Sequence, residues 1–171
     1  MGDFNLGLLD DDDYKVSVLR TKMLGIAECF MYRLPKGSSS PYRADGWPLT
    51  KPLQCVSLRV ERRGDVLLLI FTYTHGSDNN GGGGSNRQTQ KLFALCPIDI
   101  VNQDNNENKK LDHYVEAVVD STRYFVVRVK DEKANREALI GLGFRDREEA
   151  GDFRAALSKY ERDISKERAN R

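Results

Sequence analysis

Groups able to do covalent chemistry are scarce in this chain. It has two histidines, His75 and His113, and three cysteines, Cys29, Cys55 and Cys96. Both histidines lie in or beside polar stretches. Neither belongs to a Gly-x-Ser-x-Gly elbow, an HExxH helix or a cysteine with plausible partners. The adjacent acids Glu148 and Glu149 point away from each other on a helix, so they do not face one substrate. The cysteines are odd in number and far apart. That spacing fits neither the close Cys/His pairs of a zinc site nor a disulfide framework, and a reducing compartment is expected. Each cysteine sits in or beside an apolar run and is expected as a buried thiol. No catalytic, metal-binding or cofactor-binding constellation is legible.

Excess charge is lacking too, with Lys+Arg 27 against Asp+Glu 26, so no basic field calls for nucleic acid. The longest apolar run, Val66 to Phe71, is far too short to cross a bilayer. Residues 1–15 are acidic and lack the basic-then-apolar order of a signal peptide. Met1-Gly2 opens like a myristoylation site, but position 6 is Leu rather than Ser or Thr. A cytoplasmic protein is expected.

What is present is alternation. A strand-like stretch from Met23 to Leu34 ends at Pro35, and a Gly/Ser loop leads to Tyr42–Pro48, which holds the chain's one tryptophan, Trp47. Val56, Leu58 and Val60 alternate with polar neighbours, Arg62-Arg63-Gly64-Asp65 supplies a tight turn, and Val66–Tyr73 returns as the hairpin partner. The turn reading displaces an adhesive Arg-Gly-Asp motif. The Gly/Asn/Ser stretch 76–90 lacks the Lys-Ser/Thr of a phosphate loop and reads as a flexible connection, as does 103–110. Between them lies a strand at Lys91–Cys96, and Val115–Val119 is another.

The pattern sharpens toward the end. Asp120-Ser121-Thr122 is a turn signal, after which Phe125, Val127 and Val129 alternate. Past a turn at Asp131–Asn135, Ala138, Ile140, Leu142 and Phe144 alternate again. Gly141 and Gly143 occupy the opposite face, where missing side chains let another element approach closely. Trp47 is expected to anchor its loop against the sheet rather than to line a groove. The period then changes. Ala150, Phe153, Leu157, Tyr160 and Ile164 form one helix face, with Asp146 as its cap and Glu149 in capping-box position.

About seven hairpin-linked antiparallel strands followed by one amphipathic helix predict a mainly β fold. The layout is that of a pleckstrin-homology-like barrel capped by a C-terminal α-helix. The expected organisation is an accessory segment over 1–20, the domain over 21–165 and a tail over 166–171.

Several segments resemble the NECAP family of adaptin-ear-binding coat-associated proteins, in the N-terminal PHear domain. They are Asp120-Ser121-Thr122-Arg123-Tyr124-Phe125, Gly141-Leu142-Gly143-Phe144 with Asp146-Arg147, Tyr32-Arg33-Leu34-Pro35, and Tyr42-Arg43-Ala44-Asp45-Gly46-Trp47. The similarity runs in family order over about 27–160. The chain departs from the family pattern at Leu53–Val60, in two longer loops, at Gly151 where an aromatic residue is usual, and at Arg154 in place of Asn. The family's Trp-x-x-Phe ear-binding peptide is not within these 171 residues.

The resemblance implies a non-catalytic scaffold in clathrin-mediated endocytosis, at clathrin-coated pits and vesicles. It would bind Phe-x-Asp-x-Phe-type peptides of endocytic accessory proteins and the heterotetrameric clathrin adaptor of the plasma membrane. A monomer associated with the membrane only through its partners is expected. Such ligands need apolar pockets for phenyl rings and a guanidinium for Asp or phosphate. By motif, the candidate peptide- or phosphate-binding residues are Ser121, Arg123 and Arg147. The competing roles are a turn-shaping Ser121, an Arg123 paired with Asp120 or Asp131, and a solvated Arg147. The alternative function is a phosphoinositide-binding membrane module, for which only Lys36 and Arg43 on the first loop, and Arg59, Arg62 and Arg63 on the next hairpin, offer charge.

Overall fold

Alternation decides the sheet. In a computed structural model, described over residues 20–75, 89–102, 109–131 and 136–170, β1 (Arg20–Tyr32) and β2 (Gln54–Arg63) pair antiparallel. Gly64, at φ 58°, makes the tight turn into β3 (Val66–His75), pairing Arg63 with Val66. A left-handed φ is cheap for glycine, which explains the residue there. β4 (Thr89–Asp99) follows, then a single turn of helix, α1 (Leu111–Tyr114), and the short β5 (Val115–Ala117). β6 (Tyr124–Asp131), β7 (Arg136–Phe144) and α2 (Arg147–Ala169) complete the order.

The strand order is β4-β3-β2-β1-β7-β6-β5, and a further contact of β4 with β6 closes the first six into a barrel with β5 appended. Closure at Leu95 and Lys130 shortens the exposed sheet edge, the kind of edge that templates aggregation. The expected mainly β barrel with one C-terminal helix is therefore what the chain forms. The expectations for segment 1–20, for loops 76–90 and 103–110 and for the turn 131–135 fall largely outside the described residues.

The barrel interior takes the predicted positions: Val56, Leu58 and Val60 from β2, Phe125, Val127 and Val129 from β6, Leu142 and Phe144 from β7. α2 adds Ala150, Phe153, Leu157, Tyr160 and Ile164, all buried. Burying each large side chain contributes ~1.5–3 kcal/mol, so this stripe fixes the helix to the barrel. Asp146 caps the helix, its carboxylate accepting the Glu149 N–H at 2.8 Å. The reciprocal half of a capping box is not made, because Glu149 instead accepts from Arg145 Nε at 3.2 Å.

One expectation fails. Cys29 and Cys96 are buried, but Cys55 is exposed. In β2 the inward set is Val56, Leu58 and Val60, so Cys55 shares the outward parity of Ser57 and Arg59.

A second, smaller core lies outside the barrel. Residues 33–53 fold over the outer face of β1, β6 and β7, where Tyr32, Ala44, Trp47, Val118 and Val126 are buried together. Trp47 anchors this loop as expected. A Cβ at Gly141 would stand 2.7 Å from the Trp47 ring, and one at Gly143 would stand 2.6 Å from Tyr124. The bare glycine face is the seat of these aromatic rings.

Candidate functional site

The turn between β5 and β6 meets the start of α2, and the motif residues gather there. Val118 N–H donates to Tyr124 O at 3.2 Å, closing the turn. Ser121 Oγ accepts the Arg123 N–H at 3.2 Å, the local bond by which serine shapes a turn. Asp120 ties the turn to the outer loop, accepting from Ala44 N–H at 2.7 Å and Asp45 N–H at 2.9 Å. The Ala44 bond, opposed by modest desolvation and helped by Asp45, holds the Asp120 carboxyl below its ordinary range.

Arg123 pairs with neither Asp120 nor Asp131. Its Nε donates to Phe144 O at 3.2 Å, a terminal nitrogen reaches the Tyr124 hydroxyl at 3.5 Å, and the guanidinium lies 5.5 Å from the Tyr124 ring centre. Phe144 N–H donates back to Arg123 O at 3.0 Å. Arg123 thus locks the turn to the end of β7, three residues before Arg147, and several guanidinium N–H groups remain for a ligand.

Arg147 is the first residue of α2, exposed, with no ion-pair or hydrogen-bond partner among the described residues. The helix terminus itself is not a ready anion site. Asp146 occupies it as the cap, and Glu148 and Glu149 add negative charge to the first turn. An anion here would be held by arginine side chains.

Sequence reasoning placed Arg154 only as a departure from a pattern, yet it belongs to the site. Its guanidinium donates to Thr122 O and lies 5.3 Å from the Phe125 ring centre, stapling α2 to the turn. Arg147 and Arg154 stand two helical turns apart and so share a face. Gly151 lies between them, and nothing stands within 4 Å of where its Cβ would be. The result is an open basic ledge formed by Arg147, Gly151 and Arg154 beside the Ser121 turn.

The three hairpin arginines of the rival membrane reading are engaged in ion pairs. Glu61, buried in β2, takes Arg59 at 2.6 Å and Arg63 at 3.0 Å, and Arg62 pairs with Glu167 at 2.5 Å. Burial raises the Glu61 carboxyl, but the bonds from Arg63 and Arg59 outweigh it and leave it below its ordinary value. Among the described residues no cluster of three His, Cys, Asp or Glu could hold a metal, and no helix is long and apolar enough to cross a membrane.

Comparison with known proteins agrees with the motif reading. Residues 19–171 match a protein family described as "Protein of unknown function (DUF1681)". Adaptin ear-binding coat-associated protein 2 of Mus musculus is 34% identical over 153 residues, which is 89% of this chain and 47% of the relative. Adaptin ear-binding coat-associated protein 1 of Bos taurus is 35% identical over 144 residues, 80% of this chain and 44% of the relative. The Homo sapiens protein 1 is 34% identical over the same length and shares. The chain spans somewhat less than half the length of these curated relatives.

Proposed function

From the membership of this chain in that family, the DUF1681 or NECAP family, we propose that it is a non-catalytic adaptor module of clathrin-mediated endocytosis. It works in the cytoplasm at coated pits and vesicles, through residues 21–165. Its partners are Phe-x-Asp-x-Phe-type peptides of accessory proteins and the heterotetrameric clathrin adaptor. It acts as a monomer, reaches the membrane through those partners, and uses no cofactor.

The observation that carries this reading is the match along nearly the whole chain to proteins named for adaptin-ear binding and coat association. The site chemistry supports it. Arg147 is an exposed guanidinium with no partner among the described residues, three residues past the Phe144 carbonyl that holds Arg123, which has donors to spare. Arginine forks suit carboxylate and phosphate. In this reading the ledge meets an anionic group of the adaptor complex, with Ser121 shaping the turn and Arg123 holding it.

Two measurements test it. Calorimetric titration with a Phe-x-Asp-x-Phe peptide is expected to give saturable heat, and no heat at millimolar peptide refutes the peptide half. Capture of purified adaptor core by the immobilised chain is expected to fall at least tenfold in Arg147→Ala, and capture equal to wild type removes the ledge from the interface.

A further inference from the structure

Residues 35–41 are the outermost part of the loop over the second core, and every one of them is exposed. From Tyr42 onward the loop is held firmly. Tyr42 O accepts the Val119 N–H at 2.9 Å, Asp120 accepts from the Ala44 and Asp45 N–H groups, and Trp47 lies over Gly141. Ahead of Tyr42 the loop meets β5 through Ser40, whose Oγ donates to Glu116 Oε1 at 2.9 Å across 76 residues.

That latch has little in reserve. Glu116 is half-buried in the middle of β5. Its second oxygen, Oε2, is buried and has no hydrogen-bond partner among the described residues. No lysine or arginine of the described residues pairs with it. A carboxylate so poorly compensated depends on the one donor that reaches it.

The sequence around the latch carries a second signal. Ser40-Pro41 is the one place in the 171 residues where proline follows a serine or threonine. Proline brings no N–H that a tight cleft would leave unpaired, which is how proline-directed kinases tell such sites from others. Those that also want a basic side chain three positions past the acceptor find Arg43, exposed and without a hydrogen-bond or ion-pair partner among the described residues. Ser38 and Ser39 lack the proline, and Ser38 Oγ is engaged with Pro35 O at 2.6 Å.

We propose that Ser40 is a phosphorylation site for a proline-directed kinase that reads Arg43, and that the phosphate opens the Ser40–Glu116 latch. In the transfer, Ser40 Oγ attacks the γ-phosphorus of Mg-bound ATP. An Oγ–P bond forms, the bond from that phosphorus to the β,γ-bridging oxygen breaks, and ADP leaves with the electron pair. The hydroxyl proton passes to the kinase's catalytic carboxylate. Phosphoserine carries about −1.5 to −2 charge and sets acceptor oxygens where a donor stood, so it repels the adjoining carboxylate. Residues 35–41 then lift from β5, while the bonds at Tyr42 and Ala44 hold the rest of the loop. The site is independent of the partners proposed above.

The test incubates the folded 171-residue chain with a purified cyclin-dependent kinase and Mg-ATP, and reads the modified residue by tandem mass spectrometry. One phosphate per chain, on Ser40, is expected, and none on Ser40→Ala. Arg43→Ala should react about tenfold more slowly with that charge contact gone, and Arg43→Lys should recover the rate. Phosphate elsewhere, no phosphate, or Arg43→Ala reacting like wild type overturns the site. Modification is expected to move the amide shifts of Glu116 and Ala117 and to lower the melting temperature by about 2–4 °C. Glu116→Gln, whose carboxamide can donate to the phosphate, should lose nothing on modification. Unmoved shifts with equal melting in wild type, or the same loss in Glu116→Gln, overturns the latch.

Discussion

The two faces of the β6–β7 hairpin hold three aromatic rings each, and they are built on opposite principles. Inside the barrel Phe125, Phe144 and Phe153 meet at 5.1–5.8 Å, each at most 2% exposed. Outside it Tyr32, Trp47 and Tyr124 meet at 5.8–6.2 Å, with Tyr124 only half-buried. The inner cluster depends on bulk, since large apolar side chains fill a closed space. The outer one depends on the absence of bulk, because Gly141 and Gly143 leave a floor on which the rings lie. One strand pair thus serves as the wall of a core and as the seat of a loop, and the two faces should fail differently when altered.

The largest effect is expected from emptying the inner face. Phe153→Ala leaves a cavity where three rings met, and deletions of that kind cost about 3–5 kcal/mol. Urea unfolding should show that loss, with the Trp47 emission of the folded state unchanged because Trp47 sits on the other face. A loss under 1 kcal/mol would mean that the barrel collapses around the gap.

The next effect comes from filling the outer face. Gly141→Ala places a methyl 2.7 Å from the Trp47 ring, and overpacking of this order costs about 1–3 kcal/mol. Trp47 is the chain's one tryptophan, so its emission should move to longer wavelength as the ring lifts into water. An unmoved spectrum with unchanged stability would show that the glycine is not needed as a seat.

Most of the inner face was legible because it is periodic. The alternation of Phe125, Val127 and Val129, and the helical spacing of Phe153, Leu157 and Tyr160, each report local geometry. The bare side of Gly141 and Gly143 was legible too, and so, separately, was Trp47 as an anchor; that one seats the other was not. Cys55 was misread although its parity with Ser57 and Arg59 carried the answer, since apolar neighbourhood was weighed above alternation. The ledge was half legible. Ser121, Arg123 and Arg147 came from motifs, but Arg154 reaches Thr122 across 32 residues. The Asp120 clasp on Ala44 spans 76. Contacts at such separation leave no local pattern, and neither does the β3–β4 register slip at Phe93.

A smaller effect should come from the Asp120 clasp. Its carboxyl is depressed in the folded chain by the Ala44 N–H bond. A carboxylate depressed on folding adds stability above its unfolded value, near pH 4, and loses it as pH falls through the lower folded one. Lowering the pH from about 4 should therefore loosen residues 33–53 before the inner core responds, seen as a Trp47 emission change that precedes loss of β-sheet circular dichroism. Asp120→Asn should shift the emission already at neutral pH and flatten that acid limb. Coincident transitions in wild type would mean that the outer face has no stability of its own.

The smallest effect separates the faces by chemistry. Burial, with Glu149 and Cys55 as lesser causes, pushes the Cys29 thiol up to about 12, and burial raises Cys96 as well. Thiolate is the reactive form, so both should be silent toward an aromatic disulfide reagent at pH 8 until the barrel opens. Cys55 faces solvent and should react at once, giving one equivalent in the folded chain and three in denaturant. Blocking it should shift stability by no more than about 0.5 kcal/mol, as for other surface changes. A prompt second equivalent mapped to Cys29 rather than Cys96 would place the weakness in β1. Its register slips between Ile26 and Cys29, and a slipped ladder is the cheapest place for the inner face to admit the reagent.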